Sequence, residues 1–306
     1  MFFRLRRKFQ VGRYNKEARA ILDAPQLRIE PDGGYTLVSQ ICHLDVLMWL
    51  VAAKSWARFV PPKKVWLLDD GSLTESDRAL IRDHVPGVTI VGRPDVTNTK
   101  CPKGVFFERI LLIADLAQDD YVMQLDSDTV TTKMPEEAAR CIDDGVCFTL
   151  GTNLVPEIVP ILEAQKICAE HDWTPRQREH EQVQSEIAFA KLSDPEGRRY
   201  VRANAAFAGF AKGSMTRAEV ESFSQEMEAL LKERWTAWGT EQVTSNYLIA
   251  NADGSRIFRE PRYAWHAPGH DLSEACFVHY IGTYRFDNGT YAAMSRQVAT
   301  ELLADA

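Results

Sequence analysis

The sequence predicts an α/β fold with a mostly parallel central sheet flanked by helices. Through the first half of the chain, short β-rich runs alternate with stretches of helical spacing. Alternation at this spacing implies right-handed crossovers between parallel strands. Two of the strand-like runs also end in acidic residues, Asp69-Asp70 and Asp126 with Asp128, and ligands of parallel sheets sit beyond the carboxyl ends of the strands.

Taken in order, Tyr35–Ile41 reads as a strand and Leu44–Ala57 as a helix. Lys64–Leu68 is a second strand, running into Asp69-Asp70-Gly-Ser72. Thr74–His84 opens on a capping residue and is helical. Val88–Val91 is a third strand after the turn signal Pro86-Gly87. Val105–Leu116 is an amphipathic helix, and Tyr121–Leu125 is a fourth strand. In the less regular second half, Glu157–Glu170, Arg176–Leu192, Thr216–Lys232 and Thr240–Ile249 read as helices and Tyr200–Phe210 as a strand. Short apolar runs lie around Ile257 and at Cys276–Ile281. With no repeat and no Pro/Gly/Ser linker, residues 21–306 read as one domain.

Of the 306 residues, 45% are hydrophobic and 26% charged, as expected of a soluble chain with a sizeable core. A net charge of -7 argues against a general nucleic-acid binder. No apolar stretch approaches the roughly 20 residues needed to span a bilayer. The six cysteines are scattered without a C-x-x-C pair, so reduced thiols and a cytoplasmic location are expected. Residues 1–20 differ from the rest. Arg4, Arg6, Arg7, Lys8, Arg13, Lys16 and Arg19 face a single acid, Glu17, with Phe2, Phe3, Leu5 and Phe9 interleaved. That pattern fits a peripheral contact with an anionic membrane or with a partner, or else a solvated or frayed terminus.

The most informative string is Tyr121-Val-Met-Gln-Leu-Asp-Ser-Asp-Thr-Val130. Residues two apart on an extended chain point the same way, so Asp126 and Asp128 can converge on one cation. Carboxylates suit Mg²⁺ or Mn²⁺, ions that commonly also hold a phosphate.

This string resembles the Asp-x-Asp signature of nucleotide-sugar glycosyltransferases with the GT-A (Rossmann-like) fold. Downstream, His279-Tyr-Ile-Gly-Thr-Tyr-Arg285 resembles the H-x-x-G-x-x-K element of the retaining glycosyltransferases of family 8, the glycogenin-like and lipopolysaccharide galactosyltransferase-like enzymes. The resemblance implies that His279 is the third metal ligand, that Gly282 lets the backbone approach a diphosphate, and that Arg285 binds it in place of lysine. The mixed oxygen and imidazole set favours Mn²⁺ over Mg²⁺. Trp238-Gly-Thr-Glu-Gln-Val-Thr-Ser-Asn246 resembles the family's D-Q-x-x-x-N segment, with Gln242 and Asn246 matching and Glu241 replacing Asp. In that family the segment lines the sugar and the reacting face, which makes Glu241 and Gln242 the catalytic candidates. The string is also similar to the W-G-x-E element of inverting GT-A enzymes, where the Glu would be the base.

Further matches are looser. Arg109, on the helix before the acidic pair, corresponds to a family arginine that contacts the donor or braces Asp126. Asn204 falls where the family places a strand beside the donor sugar, with the glycine displaced to Gly209. Asp69-Asp70-Gly-Ser72 resembles a nucleoside-holding turn of family 2 transferases, and is equally a good turn sequence. The resemblance implies a metal-dependent transferase using a UDP-sugar donor and a glycan, lipid or protein acceptor. Two other readings stand beside it. Leu125–Val130 also fits the opening motif of haloacid-dehalogenase-type phosphatases, with Asp126 as nucleophile, although there the motif opens the domain. The second is a sugar-nucleotide-binding module without catalysis.

Overall fold

The computed structural model describes residues 2–282 and 284–305, without the side chains of residues 2–8. In chain order the elements are α1 (Phe2–Ala18), β1 (Tyr35–Ile41), α2 (Val46–Ala57), β2 (Lys64–Asp69), α3 (Glu75–His84), β3 (Thr89–Gly92), α4 (Phe107–Leu116), β4 (Tyr121–Leu125) and β5 (Thr129–Thr131). Next come α5 (Glu136–Asp143), β6 (Phe148–Gly151), β7 (Val159–Pro160), α6 (Ile161–Glu170), α7 (Pro175–Arg178), α8 (Glu181–Ala188), β8 (Arg199–Tyr200) and β9 (Ala203–Phe210). The chain closes with α9 (Arg217–Leu231), α10 (Thr240–Asn251), β10 (Arg256–Phe258), β11 (Tyr263–Trp265), β12 (Phe277–His279) and α11 (Thr290–Ala304). The class is the α/β architecture expected, with mostly parallel strands flanked by helices.

The chain forms two compact units. The first comprises Met1–Val91, Leu125–Ala139 and Arg259–Ala306, and the second Gly92–Gln124 and Arg140–Phe258. In the first, strands run in the order β1-β2-β3. β1 is buried along its whole length, as a strand covered on both faces must be, and it pairs in parallel with β2 from Thr36 against Lys64 to Ile41 against Asp69. Helix α2 is apolar except for Lys54 and Ser55 and is buried almost throughout, with Trp49 and Trp56 fully buried, so it sits inside the unit rather than on its surface. A second sheet, β11-β12-β5, follows in the same unit. Helix α1 runs through the basic segment and packs on α11, burying Tyr14 and Ala18 while Phe9 stays 74% exposed. The side chains of Arg4, Arg6, Arg7 and Lys8 lie outside the described residues.

The second unit carries the order β10-β6-β9-β4. β10 and β6 are parallel and β6 and β9 antiparallel, with a register shift between Thr149 and Leu150. Its core centres on Phe148, Phe207 and Phe258, with ring centroids 4.8 and 4.9 Å from Phe148. Gly209 lies directly opposite Phe148, where a Cβ would stand 2.2 Å from Tyr121 Oη and 2.4 Å from the Phe148 ring. Only glycine fits there.

Two expected helices are shorter than the sequence pattern suggests. Val159 precedes Pro160, which disfavours helical backbone, so the helix expected from Glu157 begins at Ile161. The continuous helix expected over Arg176–Leu192 breaks at His180, whose extended backbone and ring nitrogen cap the start of α8. Among the described residues, no helix is long and apolar enough to cross a membrane, and all six cysteines are free thiols.

Candidate functional site

In the first unit, one end of the parallel strands gathers the acidic residues. Ser39 on β1 donates to the carbonyl of Leu125 at 2.6 Å, which fixes the start of the acidic loop within this unit. The loop through Asp126, Ser127 and Asp128 then feeds β5, which pairs antiparallel with β12, placing His279 opposite Thr129. The ladder is extended by the amide of Tyr280, which donates to the carbonyl of Asp128 at 2.8 Å. His279 Nε2 consequently lies 3.4 Å from Asp128 Oδ1, both side chains being buried. Arg285 Nη2 donates to Asp128 Oδ2, and Arg285 Nε donates to the carbonyl of Tyr280 at 3.3 Å.

The electrostatics follow from this placement. Burial opposes ionisation of Asp128, but His279 and Arg285 outweigh it and hold the carboxyl below its usual range. Burial likewise opposes the charge on Arg285, yet Asp128, Tyr291 and Asp45 keep its pKa above the ordinary value. Asp45 is a member of this group that motif reading missed. Its carboxylate accepts from the Cys42 amide at 3.3 Å, just past the end of β1. Burial pushes its pKa up, while Arg285 lowers it and Asp128 raises it. Tyr291 packs between two further rings, stacked on Tyr280 at 4.2 Å and tilted against Tyr14 at 4.3 Å. Tyr291 also donates to the carbonyl of Ser127 at 3.3 Å.

Two donors at right angles around one cation, each about 2.1–2.3 Å away, stand about 3.0–3.3 Å apart. The Asp128–His279 separation is close to that, and His279 Nδ1 is buried with no hydrogen-bond partner among the described residues. The donor chemistry therefore suits a divalent ion. Asp126 is half-buried, and its carbonyl accepts from Thr129 Oγ1 at 2.9 Å. No group of three or more His, Cys, Asp and Glu side chains arranged to hold a metal ion occurs among the described residues.

Asp69 and Asp70 serve their own turn. Asp69 accepts from the amides of Gly71 at 2.8 Å and Leu73 at 3.2 Å, and pairs with Arg78. Asp70 accepts from the amide and hydroxyl of Ser72 at 2.9 and 2.6 Å. Both carboxylates are thus occupied by local structure. Gly282 is exposed, and a Cβ there would meet only Arg285 Nη2, at 4.0 Å.

In the second unit, Arg109 on α4 pairs with Glu241 on α10 at 3.1 Å, each side chain about 95% buried. On the same helix, Gln242 accepts from the amide of Ala205 at 3.2 Å and donates to Gln182 at 3.0 Å. One turn on, Asn246 donates to the carbonyl of Ala203 at 2.9 Å. Asn204 turns its carbonyl oxygen to the amide of Ala206 at 2.9 Å. Helix α10 is therefore stitched to β9 by two amide side chains, and its start is set by Gly239 at φ 100° with Trp238 exposed.

No family model matches the sequence, and no curated protein matches it. Solved structures do. An active-site mutant of LgtC is similar over 87% of this chain and 95% of its own, with a TM-score of 0.52 and 16% sequence identity. The glycosyltransferase GlyE of Streptococcus pneumoniae TIGR4 is similar over 90% of this chain and 63% of its own, with a TM-score of 0.50 and 13% identity. The fold is GT-A. Within a GT-A fold, Asp126 and Asp128 follow the fourth strand rather than opening the domain, so the phosphatase reading, which needs them at the start, is set aside.

Proposed function

We propose that this protein is a metal-dependent glycosyltransferase that moves a hexose from a UDP-sugar to a glycan, lipid or protein acceptor, with retention of anomeric configuration. The observation that carries the reading is the juxtaposition of Asp128 and His279 at the strand ends of the first unit, with Arg285 on the same carboxylate. Asp126, Asp128 and His279 would hold Mn²⁺ or Mg²⁺, which supplies positive charge against a diphosphate. Arg285 offers a second, protein-borne charge to the departing diphosphate, the largest electrostatic demand of such a transfer. Gly282, with open space where a side chain would stand, lets a phosphate come close to the backbone.

In the second unit, the buried pairing with Arg109 makes Glu241 a poor candidate for an inverting enzyme's base, which must reach an acceptor hydroxyl. Gln242, the next residue on α10, is the group offered to a sugar, and its amide is already oriented by Ala205 and Gln182. Asp69, Asp70 and Asn204 take a backing role, since the two carboxylates are spent on a local turn and the Asn204 oxygen on the Ala206 amide within β9.

A thermal-shift panel of nucleotide sugars, with and without Mn²⁺, tests the reading. Stabilisation by UDP and UDP-sugars that disappears with EDTA is expected. Absence of any metal-dependent stabilisation across the panel would refute it.

A further inference from the structure

Arg285 occupies the position at which a cation is wanted. Its Nη2 is bonded to Asp128 Oδ2, while its Nε is held by the carbonyl of Tyr280 at 3.3 Å. The other oxygen of the same carboxylate faces His279 Nε2 at 3.4 Å. Both Asp128 oxygens are thus engaged by the protein itself, and an ion approaching this carboxylate competes with a guanidinium for it. A planar fork with several donors binds a carboxylate more persistently than a lysine point charge. Escape is nevertheless open: the Arg285 side chain is 23% exposed, and Gly282, three residues before it, is exposed. A diphosphate offers the same fork more negative oxygens than a single carboxylate does.

We propose that Arg285 is a tethered counter-ion that occupies Asp128 until a nucleotide diphosphate draws it away, so that metal and diphosphate bind together rather than in turn. This rests on the metal-dependent reading above. It makes metal binding in the absence of nucleotide weak, and it makes the two ligands cooperative. By linkage, UDP tightens Mn²⁺ binding by the same factor as Mn²⁺ tightens UDP binding. The device ties ion capture to donor capture.

The test is Mn²⁺ titration of the full chain followed by electron paramagnetic resonance, with no nucleotide and with saturating UDP. Without nucleotide, Arg285→Gln is expected to bind Mn²⁺ about tenfold more tightly than the wild type, the loss of a charge-assisted competitor. The enhancement of Mn²⁺ binding by UDP should shrink in the same variant. Arg285→Lys keeps the charge but loses the bond to Tyr280, and should fall between the two. If Arg285→Gln does not fold, tighter Mn²⁺ binding by Arg285→Lys than by the wild type carries the same test. Equal or weaker Mn²⁺ binding by these variants, with the wild type binding normally, would overturn the tether and leave the metal reading standing. Absence of Mn²⁺ binding by every form, with or without UDP, would overturn the metal reading and the tether with it.

Discussion

His279 Nε2 stands 3.4 Å from Asp128 Oδ1, although the two residues come from opposite halves of the sequence. The cause is a three-residue ladder. β5 begins immediately after Asp128 and pairs with β12 as Phe277–Thr131, Val278–Val130 and His279–Thr129. Val130 and Val278 are fully buried, and a slip of one residue would turn both to the opposite face and carry His279 with the change. The apolar register of this small sheet thus sets the spacing of the two polar groups.

The Arg109–Glu241 pair makes the second unit sensitive to loss of one partner. Glu241→Ala leaves a buried guanidinium without its carboxylate and should cost about 3–5 kcal/mol. Arg109→Met combined with Glu241→Leu should recover most of that loss. Urea denaturation of the two single variants and the double variant checks this. Additive losses in the double variant would contradict it.

Gly209→Ala places a methyl against Tyr121 and Phe148. Tyr121 cannot easily yield, because its hydroxyl donates to the carbonyl of Val146 at 2.8 Å. Overpacking of this kind costs about 1–3 kcal/mol. A melting temperature equal to that of the wild type would show that β9 gives way instead.

How much of this was legible in the sequence differs between elements. The strand ending at Leu125 was readable because an apolar run of strand length stops at paired carboxylates. His279 was reachable only through a family resemblance, since nothing local to it signals the β5–β12 pairing. Asp45 was hidden because it belongs to no motif; its place in the charge group comes from the end of β1. The pairing of Arg285 with Asp128 is a long-range contact of two charged residues, which no periodicity encodes. The break at His180 escaped because the flanking helices share one polar pattern, with the cap supplied by an imidazole.

Lys54 is buried on α2, and its ammonium donates to the carbonyls of Ile21 and Ala24 at 3.3 and 3.0 Å, with His84 Nδ1 at 3.0 Å. Burial pulls its pKa from 10.5 down to about 8. Between those two values the unfolded chain binds more proton than the folded one, so folding gains stability as pH rises through that window. Below about pH 8 the cost of the buried charge is present in full. The stability of the wild type relative to Lys54→Met should therefore increase from pH 8 to pH 10. A flat or falling difference in chemical denaturation would contradict this.

The basic segment over residues 1–20 is proposed to rest on an anionic lipid surface, with exposed Phe9 at its described edge. The full chain should sediment with anionic vesicles at low salt and be released at high salt. Equal recovery with neutral vesicles would leave the segment a solvated helix end.

Metal-dependent sugar transfer is tested by release of UDP from UDP-hexoses by the wild type and by Asp128→Asn, each with Mn²⁺ and with EDTA. Turnover of at least one UDP-hexose by the wild type with Mn²⁺ is expected, together with its loss in EDTA and its loss in Asp128→Asn with the melting temperature little changed. Full turnover by Asp128→Asn, or turnover indifferent to EDTA, would contradict it.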